Sequence, residues 1–209
     1  LSGCLQMLQA DLAGTLGAEQ AGDLESAMIA AERLSRMVTS LLDVSRLEAG
    51  EMPLHKVSCD LQVIFASAAE SLGGLTRGRH VLILPSDLPV VPECDPEIIG
   101  RVVANLLGNA LKFTAASGGV RVSATAAATH AKITVADDGV GIPIEYRERI
   151  FEKFGQVENL KVGMTPSTGL GLAFCKLVVE AHQGQIGVRT NPGGGSIFWF
   201  RIPQPETLG

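Results

Sequence analysis

NLLGNALKF, residues 105–113, is the stretch of this sequence that decides the fold. It lies on a predicted helix that begins at Asp95 and Pro96, a capping aspartate followed by a proline in the first turn, and ends near residue 113. Asn105, Asn109 and Lys112 fall on one stripe of that helix, and the adjoining apolar stripe would pack on a sheet. An amide oxygen can ligate Mg²⁺ without cancelling its charge, and a lysine can contact phosphate oxygens. A solvated polar stripe on an amphipathic helix explains the same pattern equally well.

DDGVGIP, residues 137–143, directly follows a predicted strand. Its glycines, Gly139 and Gly141, allow the backbone to approach a flat ligand closely. The carboxylate of Asp137 can accept a hydrogen bond from an exocyclic amine, such as that of adenine. Taken alone, the segment is also typical of a glycine-rich turn between a strand and a helix.

TGLGL, residues 168–172, opens a predicted helix that runs to about residue 182. Glycines at a helix N-terminus leave N–H groups free, and the helix dipole favours an anion there, which suits a triphosphate. A glycine-rich cap without a ligand is the alternative. FEKF, residues 151–154, is predicted to form a small apolar cluster that anchors a loop, and residues 155–167 are predicted to form a mobile lid.

The first 51 residues have a different pattern. Helices are predicted at residues 1–12 and at about 23–49. The second helix carries a seam at alternating steps of three and four, formed by Leu24, Met28, Ala31, Leu34, Val38, Leu41 and Ser45. A hairpin of two such helices cannot bury this seam alone, so a second copy or the following domain is expected to cover it.

Short strands and helices alternate through the remainder of the chain. The predicted helices cover residues 60–72 and 144–149, and extended segments are predicted at 55–58, 80–84 and 89–92. Two hairpins are predicted, one from 119–126 and 131–136, the other from 185–190 and 196–202 around a turn at 191–195. The class is therefore α+β.

Composition restricts the function further. Hydrophobic residues make up 46% and aromatic residues 4%, so the core must be mainly aliphatic. The net charge of -5 argues against a nucleic-acid partner. The cysteines are scattered without a spacing typical of zinc sites. Because no apolar run approaches the roughly 18 residues of a membrane span, we expect a cytoplasmic location without membrane contact, although a membrane anchor could lie outside this chain.

The four segments, in this order and spacing, resemble the N, G1, F and G2 boxes of sensor histidine kinases. The closing GGGSIFWF, residues 193–200, is similar to the last strand of that family, with Ser196 where a threonine is frequent. The resemblance covers residues 60–203. It implies a two-layer α/β sandwich of the Bergerat ATP-binding type over residues 52–209. Residues 1–51 then resemble a partial dimerisation and histidine-phosphotransfer hairpin that pairs into a four-helix bundle of a homodimer.

The resemblance also implies a site for ATP and Mg²⁺. Asn109 resembles the Mg²⁺ ligand, and Asn105 and Lys112 resemble contacts to the metal–phosphate group. Asp137 resembles the adenine anchor. The other positions implied in cofactor binding are Gly139, Gly141 and Ile142 around adenine, the segment Thr168, Gly169, Leu170, Gly171 and Leu172 at the phosphates, and Ser196. For His182 a structural role is expected.

By this resemblance, the γ-phosphoryl group of ATP passes to a histidine and then to an aspartate of a response-regulator receiver domain. Leu1 and the residues after it resemble the sequence that follows the family's acceptor motif, so the acceptor histidine is expected upstream and no catalytic residue within the chain. The fragment alone is then expected not to autophosphorylate. A pseudokinase scaffold and a serine kinase of the anti-sigma-factor type are the alternatives.

Overall fold

The structure, a computed structural model, describes residues 17–85, 92–127, 129–155 and 168–204. The chain divides into two compact units, residues 1–43 and residues 44–209, with the boundary inside the first described helix. The predicted helix at residues 1–12 lies outside the described residues, and the division into domains at residue 51 stays a prediction.

The first described helix, α1, spans Ala18–Glu48. It begins five residues before the predicted start and passes through Gly22, because an isolated glycine lowers helix stability by only about 1 kcal/mol. The helix ends at Glu48, and the chain turns away at Gly50, whose φ of 69° is the left-handed conformation that glycine adopts readily. Within the first unit, the seam residues Leu34, Val38 and Leu41 are 58%, 49% and 47% exposed.

In the part of the second unit that the structure describes there are three further α-helices and seven strands. The helices are α2 (Leu61–Ser71), α3 (Pro96–Phe113) and α4 (Gly171–Ala181). The strands are β1 (Val57–Ser58), β2 (His80–Ile83), β3 (Glu93–Cys94), β4 (Gly119–Ala126), β5 (His130–Asp137), β6 (Gln185–Thr190) and β7 (Ser196–Pro203). The helix predicted near residue 144 is instead a pair of 3-10 turns, Ile144–Tyr146 and Arg149–Phe151.

The main sheet has five strands in the order β2-β4-β5-β7-β6. β2 runs parallel to β4, and the other neighbours are antiparallel, so both predicted hairpins are confirmed. β1 and β3 form a separate two-stranded antiparallel sheet.

One face of the main sheet packs on the helices. Along β5 and β7 every second residue is buried, as the period of two in a strand requires for a sheet covered on one side. The buried side chains, which include Ile133, Val135 and Phe200, join those of α2, α3 and α4 in one core. The predicted two-layer α/β sandwich is confirmed.

Both ends of α3 are fixed by side chains. Asp95 caps its start, because Oδ1 accepts hydrogen bonds from the N–H groups of Glu97 and Ile98, each at 3.1 Å. At the other end the guanidinium of Arg79 donates to the carbonyl oxygens of Leu111 at 3.1 Å and Thr114 at 2.8 Å. Arg79 therefore satisfies carbonyl groups that a helix C-terminus leaves without partners.

His182 joins the end of α4 to the start of α3. Its ring is 2% exposed, and its Nδ1 lies 2.8 Å from the carbonyl oxygen of Val178. Since a carbonyl only accepts, Nδ1 carries the proton, and Nε2 accepts from the N–H of Asp95 at 3.1 Å. Burial lowers the pKa of His182, and the nearby Lys56 lowers it too, while the Val178 carbonyl and Asp95 raise it.

We predict that acidification destabilises the wild type more than a His182→Gln variant. Because the pKa of His182 in the folded protein lies below 6.5, its contribution to stability is complete above about pH 6.5. It is lost as the pH falls toward the folded pKa, by at most about 1.4 kcal/mol per pH unit. Urea unfolding of both proteins at pH 7.5 and 5.5 measures this difference, since Lys56 and Asp95 are common to both. Equal losses of stability in the two proteins would contradict a lowered pKa for the buried His182.

Candidate functional site

Helix α3 presents its polar stripe away from the core. Asn105, Asn109 and Lys112 are all partly exposed. The residues of the opposite stripe are buried: Val102, Val103, Leu106, Leu107, Ala110 and Leu111. The amphipathic pattern therefore places the two amides and the lysine along one accessible side of a helix whose other side is fixed in the core.

Asp137 lies at the end of β5 with its side chain almost fully buried, at 3% exposure. Its Oδ1 accepts hydrogen bonds from the N–H of Gly139 at 2.9 Å and from the N–H of Ser196 at 3.2 Å. Its Oδ2 accepts no hydrogen bond from any residue that the structure describes. One carboxylate oxygen is thus fixed by the protein, and the other is left for a donor from a ligand.

Burial raises the pKa of Asp137, while the N–H groups of Gly139 and Ser196 lower it and the neighbouring Asp138 raises it. Desolvation is the largest of these effects, so the charged carboxylate lacks the solvation that it has in water. A hydrogen-bond donor on a ligand would supply part of that missing solvation.

Two glycines bring the turn after β5 against other parts of the site. A Cβ at Gly139 would collide with the carbonyl oxygen of Phe113, at the end of α3. Gly141 has a φ of 74°, and a Cβ there would lie 3.3 Å from the carbonyl oxygen of Gly195. The turn therefore packs between the end of α3 and the β6–β7 loop, with Ile142 partly buried against the core.

The start of α4 lies beside the start of the polar stripe. A Cβ at Gly171 would lie 3.2 Å from Oδ1 of Asn105, so the TGLGL segment and α3 are in direct contact. Leu170 is 2% exposed, and no side chain caps the helix at this N-terminal residue. The N–H groups of the first turn are consequently available to an anion, as helix N-termini allow.

The residues next to Gly171 are held by local contacts. Thr168 accepts a hydrogen bond from the N–H of Leu170 at 3.3 Å through its hydroxyl, and Gly169 has a φ of 70°. Leu172 is partly buried and packs against the core. Binding of the phosphates by this segment stays a prediction.

The FEKF segment anchors the entry to TGLGL. Phe151 is buried and packs edge-on against Phe198, with ring centroids 6.3 Å apart. Phe154 donates its N–H to the carbonyl oxygen of Gly169 at 2.9 Å. Apart from its first residue, Gly155, the predicted lid lies outside the described residues.

The donor groups present fit a magnesium ion that arrives with a nucleotide. Within the described ranges there is no group of three or more histidine, cysteine, aspartate or glutamate side chains that could hold a metal alone. Mg²⁺ is usually held by one or two protein oxygens together with substrate phosphates. The accessible amide of Asn109 can supply one such oxygen.

The sequence did not identify the role of the loop between β6 and β7. Asn191 is 8% exposed, and its Nδ2 donates to the main-chain carbonyl oxygen of Asp137 at 2.8 Å. A Cβ at Gly195 would collide with the same carbonyl oxygen and lie 2.6 Å from the nitrogen of Gly139. The motif Asn-Pro-Gly-Gly-Gly predicts a turn, but a local motif cannot indicate that the turn packs against Asp137.

Comparison with known proteins agrees with this geometry. A family model described as histidine kinase-, DNA gyrase B- and HSP90-like ATPase matches residues 94–206. Sensor histidine kinase TmoS of Ectopseudomonas mendocina is 36% identical over 81% of this chain and 18% of its own length. Sensory/regulatory protein RpfC of Xanthomonas campestris pv. campestris is 34% identical over 97% of this chain and 29% of its own length. The chain thus spans less than a third of either relative.

Solved structures show the same similarity. Full-length ShkA in complex with AMPPNP has a TM-score of 0.81 and 28% identity, covering 100% of this chain and 44% of ShkA. The mycobacterial sensor histidine kinase MprB has a TM-score of 0.63 and 27% identity, covering 73% of this chain and 99% of that one.

None of the helices that the structure describes combines the length and apolarity that a membrane crossing requires.

We predict that Gly195→Ala disrupts the site, whereas Gly193→Ala is tolerated. At Gly195, φ is 88° and a Cβ would meet the backbone of Asp137, so the chain must shift. At Gly193 a Cβ would meet nothing within 4 Å, and φ is not in the left-handed region. Gly195→Ala should lower the free energy of unfolding by about 2 kcal/mol or more, measured by urea denaturation. Equal stabilities of the two variants would refute the close approach of Gly195 to the backbone of Asp137.

Proposed function

The chain belongs to the family of histidine kinase-, DNA gyrase B- and HSP90-like ATPases, and we propose that it is the ATP-binding catalytic core of a two-component sensor histidine kinase. The observation that carries the proposal is that α3 contacts both other segments of the site. Asn105 lies against Gly171, and Phe113 lies against Gly139, whose N–H is bonded to Asp137. The names of the relatives TmoS and MprB support the choice of a kinase within the family.

The adenine end of the proposed site is at Asp137. Its fixed Oδ1 leaves Oδ2 to accept a hydrogen bond from the exocyclic amine, and Gly139 and Gly141 leave room for a flat base beside the backbone. We place Ile142 and Ser196 at the same end, since both lie within the turn and the strand start that surround the carboxylate.

The triphosphate end is at the start of α4. The N–H of Leu170 donates to the Thr168 hydroxyl, and the N–H groups of Gly169, Gly171 and Leu172 are proposed to face the phosphates, next to Asn105 on α3. Asn109 supplies an amide oxygen to Mg²⁺, and Lys112 offers positive charge to phosphate oxygens. When bound, Mg²⁺ offsets the charge of the triphosphate, and these residues orient the γ-phosphoryl group for in-line attack by a histidine nitrogen.

Asn105 favours transfer over hydrolysis. ATP hydrolases that activate water need a general base at this part of the site, and an amide cannot accept a proton for that purpose. The nucleophile is therefore supplied from outside the site, as a kinase requires. Serine kinases of the anti-sigma-factor type usually lack a helical hairpin. The presence of the 31-residue helix α1 therefore disfavours that alternative.

The acceptor is proposed to be a histidine other than the four in this chain. His182 is buried with both ring nitrogens in hydrogen bonds, and His55, His80 and His130 lie in the second unit rather than on a hairpin helix. The proposed subsequent acceptor is an aspartate on a response-regulator receiver domain, which the resemblance to sensor kinases supports. A pseudokinase scaffold is the outcome if nucleotide binds and no phosphate is transferred.

We predict that Asp137→Asn and Asn109→Ala each lower the affinity for Mg-ATP by about tenfold or more, since each removes a hydrogen bond or metal contact worth roughly 1.5–3 kcal/mol. Isothermal titration calorimetry measures the affinities. Glu70→Gln, which neutralises an exposed carboxylate on α2, is the control and should bind ATP as the wild type does.

The phosphotransfer itself is tested with γ-labelled ATP. A version of the chain that carries a hairpin with the proposed acceptor histidine should gain acid-labile phosphate on that histidine, and the 209-residue chain should bind ATP without gaining it. Phosphohistidine in the 209-residue chain would refute the external acceptor. Rapid ATP turnover without phosphoprotein, abolished by Asn109→Ala, would refute the kinase in favour of a hydrolase.

We also propose that α1 mediates a homodimer, because its apolar seam is exposed over Leu34, Val38 and Leu41. Light scattering should give a dimer for the wild type and a lower mass for Val38→Glu. Arg36→Glu, which places the same side chain on the opposite side of the helix, should leave the mass unchanged. A wild type that stays monomeric at high concentration would contradict the proposal.

A further inference from the structure

The β6–β7 loop holds the residue that the proposed function assigns to adenine. Asn191 donates from Nδ2 to the main-chain carbonyl oxygen of Asp137 at 2.8 Å and lies 3.3 Å from Oδ1 of Asp138. The loop is closed by hydrogen bonds from the N–H of Asn191 to the carbonyl of Gly195 at 3.1 Å and from the N–H of Gly194 back to the carbonyl of Asn191 at 2.9 Å. At its end, Ser196 donates its N–H to Oδ1 of Asp137.

One short loop, 54 to 59 residues away in sequence, therefore donates hydrogen bonds to both the main-chain carbonyl and the carboxylate of Asp137. The amide of Asn191 fixes the peptide that follows Asp137, and the N–H of Ser196 fixes the carboxylate. Rotation of that peptide would move Cα, and with it the direction of Oδ2. Because the N–H groups of Gly139 and Ser196 both hold Oδ1, they also orient the rest of the carboxylate, including Oδ2.

The contact from Asn191 to Asp137 is better shielded from water than the ion pair of the neighbouring Asp138. The ion pair between Arg121 and Asp138, at 2.9 Å, has side chains that are 41% and 36% exposed, and exposed pairs contribute little. Asn191 is 8% exposed, so loss of its amide would leave a buried carbonyl without a donor. The structure would then have to shift or admit water, because an unsatisfied buried acceptor is unfavourable.

We propose that Asn191 is a positioning residue that sets the selectivity of the site for purines with a 6-amino group. The inference rests on the proposed function, because it assumes that Oδ2 of Asp137 accepts a hydrogen bond from that amine. It adds that discrimination between purines depends on an amide in a loop that does not itself contact the base.

The test compares ATP with purine riboside 5′-triphosphate, in which hydrogen replaces the 6-amino group. Binding of both nucleotides with Mg²⁺ is measured by calorimetry for the wild type, Asn191→Ala and Asn191→Asp. The aspartate variant preserves the shape of the side chain but has no donor for the Asp137 carbonyl. Gln185→Ala is the matched control, since it removes an amide from the other end of β6, where Gln185 contacts Arg201.

The wild type and Gln185→Ala should prefer ATP by about tenfold or more, as expected for a hydrogen bond to a charged group. Both Asn191 variants should reduce this preference to about threefold or less, while their affinity for purine riboside 5′-triphosphate stays within about twofold of the wild type. Circular dichroism establishes that the variants compared are folded, and agreement of two different substitutions separates lost positioning from lost volume.

Three results would overturn the inference. If the Asn191 variants lose affinity for both nucleotides equally, the loop has a general structural role. If they keep the full preference for ATP, Asn191 does not position Asp137. If the wild type binds both nucleotides without preference, Asp137 does not recognise the 6-amino group, although the chain still binds a nucleoside triphosphate. A wild type that binds neither nucleotide would instead remove the proposed function together with the inference.

Discussion

Burying the carboxylate of Asp137 at the end of β5 is unfavourable unless hydrogen bonds replace the lost water. The protein supplies two N–H donors to Oδ1 and an amide donor to the adjacent main-chain carbonyl. To deliver them, the turn after β5 and the β6–β7 loop must approach within contact distance, and this approach requires Gly139 and Gly195. Gly139 and Gly195 are therefore required by the burial of one carboxylate.

Helix α3 connects the proposed adenine end of the site to the proposed phosphate end. Phe113 meets the turn at Gly139, and Asn105, two turns earlier, meets the start of α4 at Gly171. Because one side of α3 is buried in the core along its length, the spacing between the two ends is set by the rise of a single rigid helix. Asp95 and Arg79 fix the ends of that helix and so fix the position of the stripe between them.

Local patterns were sufficient to predict most of the fold. The cap at Asp95, the alternation along β5 and the polar stripe of α3 are all determined by neighbours in sequence, and each was confirmed. The contacts of Asn191 and Arg79 could not be predicted, because each joins segments more than 30 residues apart and leaves no periodic signal. Sequence thus identified the residues that could contact a ligand, whereas only the structure identified those that hold them in place.

The state of Asp137 links ligand binding to the stability of the site. Burial raises its pKa, so the charged carboxylate is less well solvated than it would be in water. A donor from a ligand favours the charged form, and any ligand that binds only the folded state stabilises that state. A carboxylate that was fully satisfied by the protein would be more stable without ligand, but it would have no acceptor to offer. Because Oδ2 receives no hydrogen bond from the described residues, it stays available as an acceptor, and its orientation, with the loop that sets it, matters to the proposed function.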